Sequence, residues 1–217
     1  MDYATARRRM IDSQVRTNDV VNLRVQEAME RIPRETFLPS ELRDQAYVER
    51  ELVYAPGRRM LTARDFSKLV AAANPQPTDL ALEIACGAGY STAVLAALSE
   101  MVVAVEPDAD LASAAQDNLS ALDINNAAVI VGALKDGAAG HGPFDLIFIG
   151  AAVAQVPEGL FAQIKDGGRL ATILRTGGVS RGVIFTKSGG ATAPRVMFDA
   201  QTGAILPGFE RPKTFTF

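Results

Sequence analysis

The chain of 217 residues contains one cysteine, one histidine and no tryptophan. A lone cysteine, Cys86, excludes an intramolecular disulfide and a zinc site built from thiolates. A lone histidine, His141, argues against a histidine metal cluster or an imidazole-dependent triad, and no metal site is expected. No apolar run reaches the ~18 residues of a membrane span. The first residues, MDYATARRRMIDSQ, have three arginines with no apolar stretch behind them and do not read as a secretory signal. With neither export signal nor paired cysteines, the expected location is the cytoplasm.

Positive charge is also missing from one stretch. Residues 71–150 hold one basic and ten acidic side chains, and none is basic between Lys68 and Lys135. A site for nucleic acid or a multiply phosphorylated ligand normally brings Arg or Lys to the phosphates. Backbone amides also bind phosphate, so the deficit lowers that reading without removing it. The plainer alternative is that these acids solvate the exterior.

What remains is ordinary for a globular protein: 48% apolar and 22% charged residues. Residues 4–31 read as helical, with Asn18-Asp19 as the cap of a second helix. Pro33, Pro39, Pro56 and Gly57 punctuate residues 33–62 into loops and short pieces, and 64–74 is helical again. From residue 80 short apolar runs alternate with helices. The strands are 80–85, 101–106, 127–132, 144–150 and 169–175; the helices are 90–98, 110–122 and 157–164. Residues 181–187 and 194–200 read as a β-hairpin. This order predicts an α/β fold: a doubly wound, Rossmann-like, mostly parallel sheet, with an antiparallel C-terminal hairpin and an N-terminal helical cap. The expected division is 1–75 for the cap and substrate loop and 76–217 for the ligand-binding part, together one compact unit.

The sharpest local feature is LEIACGAGY (82–90), a glycine turn between a strand and a helix. In such a sheet this turn lies at the carboxyl edge, where ligands bind. Gly87 and Gly89 permit a tight turn, and the following helix aims its N-terminus at the ligand. Glu106 ends the next strand, where this fold reads a ribose. Glu83, beside the turn, would repel a pyrophosphate but suits an ammonium and a sulfonium. The third glycine of the dinucleotide fingerprint is replaced by Thr92. Two glutamates flanking a bare backbone cradle therefore favour S-adenosylmethionine over NAD.

LEIACGAGY followed by VVAVEPD resembles the first two motifs of class I S-adenosylmethionine-dependent methyltransferases. RIPRETFLP (31–39), AYVERELVY (46–54), GRRMLTARDF (57–66) and GPFDLIFIGAAVAQVPEGLFAQIKDGGRLATIL (142–174) narrow the resemblance to the protein-L-isoaspartate O-methyltransferases. It runs from about residue 10 to 175. It implies carboxyl methylation of peptides or proteins with damaged aspartyl residues, with neither nucleic acid nor membrane as partner. Glu83, Gly87 and Gly89 would line the methionine part of the cofactor, Glu106 the ribose and Pro107 the adenine.

Three departures bear on this. The family's first loop glycine is Ala85. The acidic adenine partner is missing from Gly132-Ala133-Leu134, leaving Ala133 and Leu134 at that position with Asp136 close by. The family's substrate-loop serine aligns with Leu61, so Thr62 is the one nearby hydroxyl and the candidate catalytic residue. Arg34, Arg58, Arg59 and Arg64 are candidate carboxylate holders, or solvated loop arginines. A carboxylate acceptor with a pKa near 4 is ionised at neutral pH and needs no general base, which agrees with the shortage of bases here. The rival readings are a methyltransferase with another acceptor, a catalytically inactive S-adenosylmethionine-binding homologue, and, more distantly, a dinucleotide oxidoreductase. The tail, with alternating Phe215 and Phe217, is expected to dock on the sheet, cover the cofactor or mediate self-association.

Overall fold

The computed structural model describes residues 2–211; Phe215 and Phe217 lie outside the described residues. Its centre is a seven-stranded sheet in the order β5-β4-β3-β6-β7-β8-β9. The strands are β3 (Leu80–Ile84), β4 (Met101–Glu106), β5 (Ala127–Val131), β6 (Phe144–Val153), β7 (Ile164–Thr176), β8 (Val179–Ser188) and β9 (Ala191–Ala200). From β5 to β7 all pairings are parallel, and β8 and β9 add antiparallel. The expected α/β architecture is the observed one. Strands covered on both faces read as unbroken apolar runs, which is why β3, β4 and β6 were visible in the sequence.

The chain leaves β3 toward β4 and β5, then returns to place β6 on the other side of β3. That reversal opens the crevice where ligands bind in open sheets. The helices α4 (Tyr90–Ala96), α5 (Ala109–Ala121) and the short α6 (Glu158–Ala162) connect the strands.

The N-terminal part consists of α1 (Tyr3–Met10), α2 (Leu23–Arg31), α3 (Ala63–Ala73), short helical turns and a small hairpin, β1 (Leu52–Ala55) with β2 (Arg58–Met60). One apolar cluster runs through it and the sheet alike, containing Met10, Met29, Phe66, Phe148 and Ile173.

Several boundaries differ from expectation. The second helix is capped by Asn22, whose side chain accepts from the amides of Arg24 and Val25 at 3.0 and 3.4 Å. Asn18 donates back to the Gln14 carbonyl instead, and Asp19 is left-handed, which stops the preceding turn. The C-terminal hairpin turns on two residues, Gly189 and Gly190, both with positive φ, so the strands run well into the expected loop. The helix expected over 157–164 is shorter, and the Asp166-Gly167-Gly168 segment after it lies inside β7, where the register to β6 shifts. The β1–β2 hairpin went unseen because its strands are only four and three residues long and sit among prolines.

Candidate active site

The loop after β3 coils tightly because Ala85, Gly87 and Gly89 all adopt left-handed backbone, with φ of 64°, 55° and 97°. The amides of Ala85 and Cys86 donate to the Val105 carbonyl at 2.9 and 3.3 Å, tying the loop to β4. The amide of Gly87 donates to Glu106 Oε2 at 2.9 Å. Glu106 thus sits at the lip of the loop, as its place in the sequence suggested.

The cradle, however, is not bare. Arg58, from the β1–β2 hairpin, grips Glu106 with both prongs: Nε donates to Oε2 at 2.8 Å and Nη2 to Oε1 at 2.6 Å. The carboxylate is fully buried and the guanidinium nearly so. Tyr54, from the same hairpin, brings its hydroxyl over Gly87, where an added Cβ would stand only 1.8 Å from that oxygen. Burial raises the Tyr54 phenol's pKa, with the Glu106 charge adding to it, so it stays protonated. Two cavities remain around the hairpin, of about 40 and 130 Å³. Small-molecule sites usually enclose ~300–1,000 Å³. The hairpin is closed on the cradle.

Glu83 lies behind the loop. It accepts from the hydroxyls of Ser91 and Thr92, the latter at 2.5 Å, in the first turn of α4. Burial pushes its pKa up to about 7 against the pull of those two hydroxyls. The structure puts Ser91, not Glu83, on the cavity wall. Cys86 is buried, and burial keeps it a thiol.

The remaining expected residues are spread out. Pro107 and Ala133 are exposed, while Leu134 is buried with Ala138, Leu206 and Phe209. Asp136 is exposed. Thr62 departs from the catalytic expectation: it is the N-cap of α3, and its hydroxyl accepts from the Asp65 amide at 3.1 Å. Met60 and Leu61 line the smaller cavity; Thr62 does not. The reason is local, since a Thr-x-x-Asp sequence at a helix start turns the hydroxyl inward to the backbone.

The family model described as protein-L-isoaspartate(D-aspartate) O-methyltransferase (PCMT) matches residues 5–192. The chain belongs to the protein-L-isoaspartate O-methyltransferase family. A relative of that name from Koribacter versatilis is 37% identical over 168 residues, covering 77% of this chain and 76% of its own. Another from Syntrophus aciditrophicus is 37% identical over 176 residues, covering 81% and 80%. Among solved structures, a protein-L-isoaspartate O-methyltransferase superposes with a TM-score of 0.79 at 23% identity, over 92% of this chain and 67% of the other. A Plasmodium falciparum chain described as such an enzyme, in complex with S-adenosyl-L-homocysteine, gives 0.77 at 19% identity over 92% and 97%. At that identity the two structures establish the shared fold.

Four arginines were expected as carboxylate holders in this family's substrate region, and three are taken by the chain's own acids. Arg58 holds Glu106, Arg59 lies 3.7 Å from Glu51, and Arg64 pairs with Asp65 at 2.5 Å. Arg34 is buried and pairs with no carboxylate among the described residues. Sequence reasoning missed Tyr54, Ser91 and Thr92 as parts of the site. The two hydroxyls follow Glu83 by eight and nine residues, one strand-turn-helix unit away, and that spacing was a usable signal. No group of three or more His, Cys, Asp or Glu that could hold a metal ion occurs among the described residues, nor does any helix long and apolar enough to cross a membrane.

Proposed function

We propose that this chain is an S-adenosylmethionine-dependent protein-L-isoaspartate O-methyltransferase, methylating the free α-carboxylate of isoaspartyl residues in damaged proteins and peptides in the cytoplasm. The observation that carries the reading is the Gly87–Glu106 junction. A loop with three left-handed residues delivers one amide to a fully buried carboxylate at the end of β4.

The residues fit the cofactor once the hairpin tip withdraws. Arg58 presents two parallel N–H donors to the two oxygens of Glu106. A vicinal ribose diol presents two donors to the same oxygens, so the exchange leaves Glu106 satisfied. The space over Gly87 that admits the Tyr54 hydroxyl exists because Gly87 lacks a Cβ. Ala85, Gly87 and Gly89 would line the chain of the cofactor, with Glu83 acting through Ser91. Pro107, Ala133 and Leu134 would flank the adenine by apolar contact, without a carboxylate.

When bound, S-adenosylmethionine supplies a methyl group on a sulfonium. The protein's part is positioning and exclusion of water. An acceptor carboxylate is already ionised near neutral pH, so no residue here is asked to remove a proton. Phe37, Phe66, Leu61 and Met60 give the site apolar walls that strip water from the acceptor.

The test is incubation with an isoaspartyl peptide and methyl-labelled cofactor; the expected product is a base-labile methyl ester. Absence of label with a folded protein would sink the reading. A second reading, methylation of another acceptor, is favoured by one observation: the hydroxyl next in sequence to the position of the family's loop serine, that of Thr62, is committed to capping α3. Label on other peptides or small molecules, with none on isoaspartyl peptides, would select it.

A further inference from the structure

The fold buries a guanidinium without a counter-ion. Arg34, in the helical turn Arg34–Phe37, is 1% exposed. Its Nε donates to the Ala46 carbonyl at 2.8 Å and Nη2 donates to the Leu61 carbonyl. Its Nη1 has no partner among the described residues. The guanidinium lies over the ring of Tyr90, 5.0 Å from the centroid, and the Tyr90 hydroxyl is likewise buried and unbonded. Both residues line the smaller cavity, together with Leu61, Ala85 and Ser91.

An unused buried donor costs free energy, and an unpaired buried cation costs more. Methionine and phenylalanine would fill the same volumes without that cost. Nearby acids do not neutralise the pair: Glu35 is engaged by Tyr47 and lies 3.7 Å from Arg7, and Glu83 is turned to Ser91 and Thr92. Burial raises the Tyr90 pKa against the charge and the close approach of the Arg34 guanidinium, so the phenol keeps its proton and remains a donor. The cavity wall therefore carries an unused cationic N–H and an unused phenolic O–H, and no carboxylate lines it.

We propose that Arg34 Nη1 and the Tyr90 hydroxyl form a carboxylate-binding subsite at the inner end of the site. Two carboxylates can reach it under the methyltransferase reading, on which this assignment of ligands rests. One belongs to the amino-acid end of the cofactor, the other to the acceptor peptide.

The test uses the full chain with Tyr90→Phe, Arg34→Met and Arg34→Lys. Tyr90→Phe removes a hydroxyl that bonds nothing in the protein, so its melting temperature should equal or exceed that of the parent. Calorimetry compares S-adenosylhomocysteine with 5′-methylthioadenosine, which has the same thioether nucleoside but no carboxylate. It also compares an isoaspartyl peptide with its methyl ester. If the cofactor supplies the carboxylate, Tyr90→Phe and Arg34→Met weaken S-adenosylhomocysteine about tenfold and leave methylthioadenosine unchanged. If the acceptor supplies it, the free-acid peptide weakens about tenfold and the ester does not. Arg34→Lys keeps part of the affinity. Equal loss for ligands with and without a carboxylate, unchanged affinities throughout, or a clear drop in the melting temperature of Tyr90→Phe would overturn the subsite. Peptide binding through its carboxylate without methylation sinks the enzymatic reading and leaves the subsite standing. Methylation with unaltered affinities does the reverse, and a chain that binds none of these ligands sinks both.

Discussion

Arg58 and Glu106, 48 residues apart in sequence, meet as a two-pronged ion pair at the carboxyl edge of the sheet, with nitrogen–oxygen distances of 2.6 and 2.8 Å. The same two oxygens accept from the amides of Gly87 and Asp108. The carboxylate that the proposed function assigns to the ribose is thus held by the protein's own cation. Under that proposal, pair formation and ligand binding compete for one acceptor.

Replacing Arg58 should therefore separate stability from affinity. Arg58→Met leaves Glu106 buried with two amide donors and no counter-charge, a change of the kind that costs ~3–5 kcal/mol. The ligand-free protein should melt earlier. S-adenosylhomocysteine should bind tighter and raise the melting temperature further than in the parent. Thermal melts with and without ligand check both; an equal ligand-induced rise in the two proteins would argue that Arg58 does not compete.

Thr62→Ala should behave as the loss of a helix cap. The expected cost is about 1 kcal/mol, read from urea denaturation, with kcat on an isoaspartyl peptide within about twofold of the parent. A fall of a hundredfold in kcat at unchanged stability would instead return Thr62 to the chemistry.

Glu83 gives the protein a pH dependence of definite sign. Its ordinary pKa is 4.5 and its folded value is about 7. Below both values the carboxyl is protonated folded or unfolded. Between them the unfolded chain releases the proton and the native one keeps it. The native state therefore binds more protons, and stability falls as pH rises through that window. The loss is on the order of 3 kcal/mol. Urea midpoints at pH 5 and pH 8 should differ more for the parent than for Glu83→Gln, which carries no titrating group there.

Ala85 holds a left-handed conformation that favours glycine, at φ 64°. Relief of that strain is partly offset by the freedom glycine gains when unfolded. Ala85→Gly should raise the unfolding free energy by up to about 1 kcal/mol, measured by chemical denaturation; a destabilisation would mean that the Ala85 methyl group contributes packing.

Much of the fold was legible because parallel strands announce themselves. LALEI, MVVAVE and FDLIFIG are apolar on both faces, and Gly87 and Gly89 mark the turn between the first strand and its helix. Glu106 was legible for the same reason, since it ends a strand. The hairpin bearing Tyr54 and Arg58 was not. Its strands are too short to show a period of two, and its effect depends on a partner 48 residues away. The capping role of Thr62 was not legible because a hydroxyl in a sequence does not declare which way it turns; the Asp three residues on was the clue to a cap. Arg34 was recognised as a candidate carboxylate holder, but its burial over Tyr90 depends on carbonyls at Ala46 and Leu61 that only the folded loop supplies.

The closed hairpin also sets a time order. If the proposed cofactor site is the one that Tyr54 and Arg58 cover, it fills only as fast as they leave. Observed association rates should climb with ligand concentration and then level off at the rate of hairpin opening. Nucleosides without a diol to offer Glu106 would gain no compensation for the displaced guanidinium, and the latch itself would select against them.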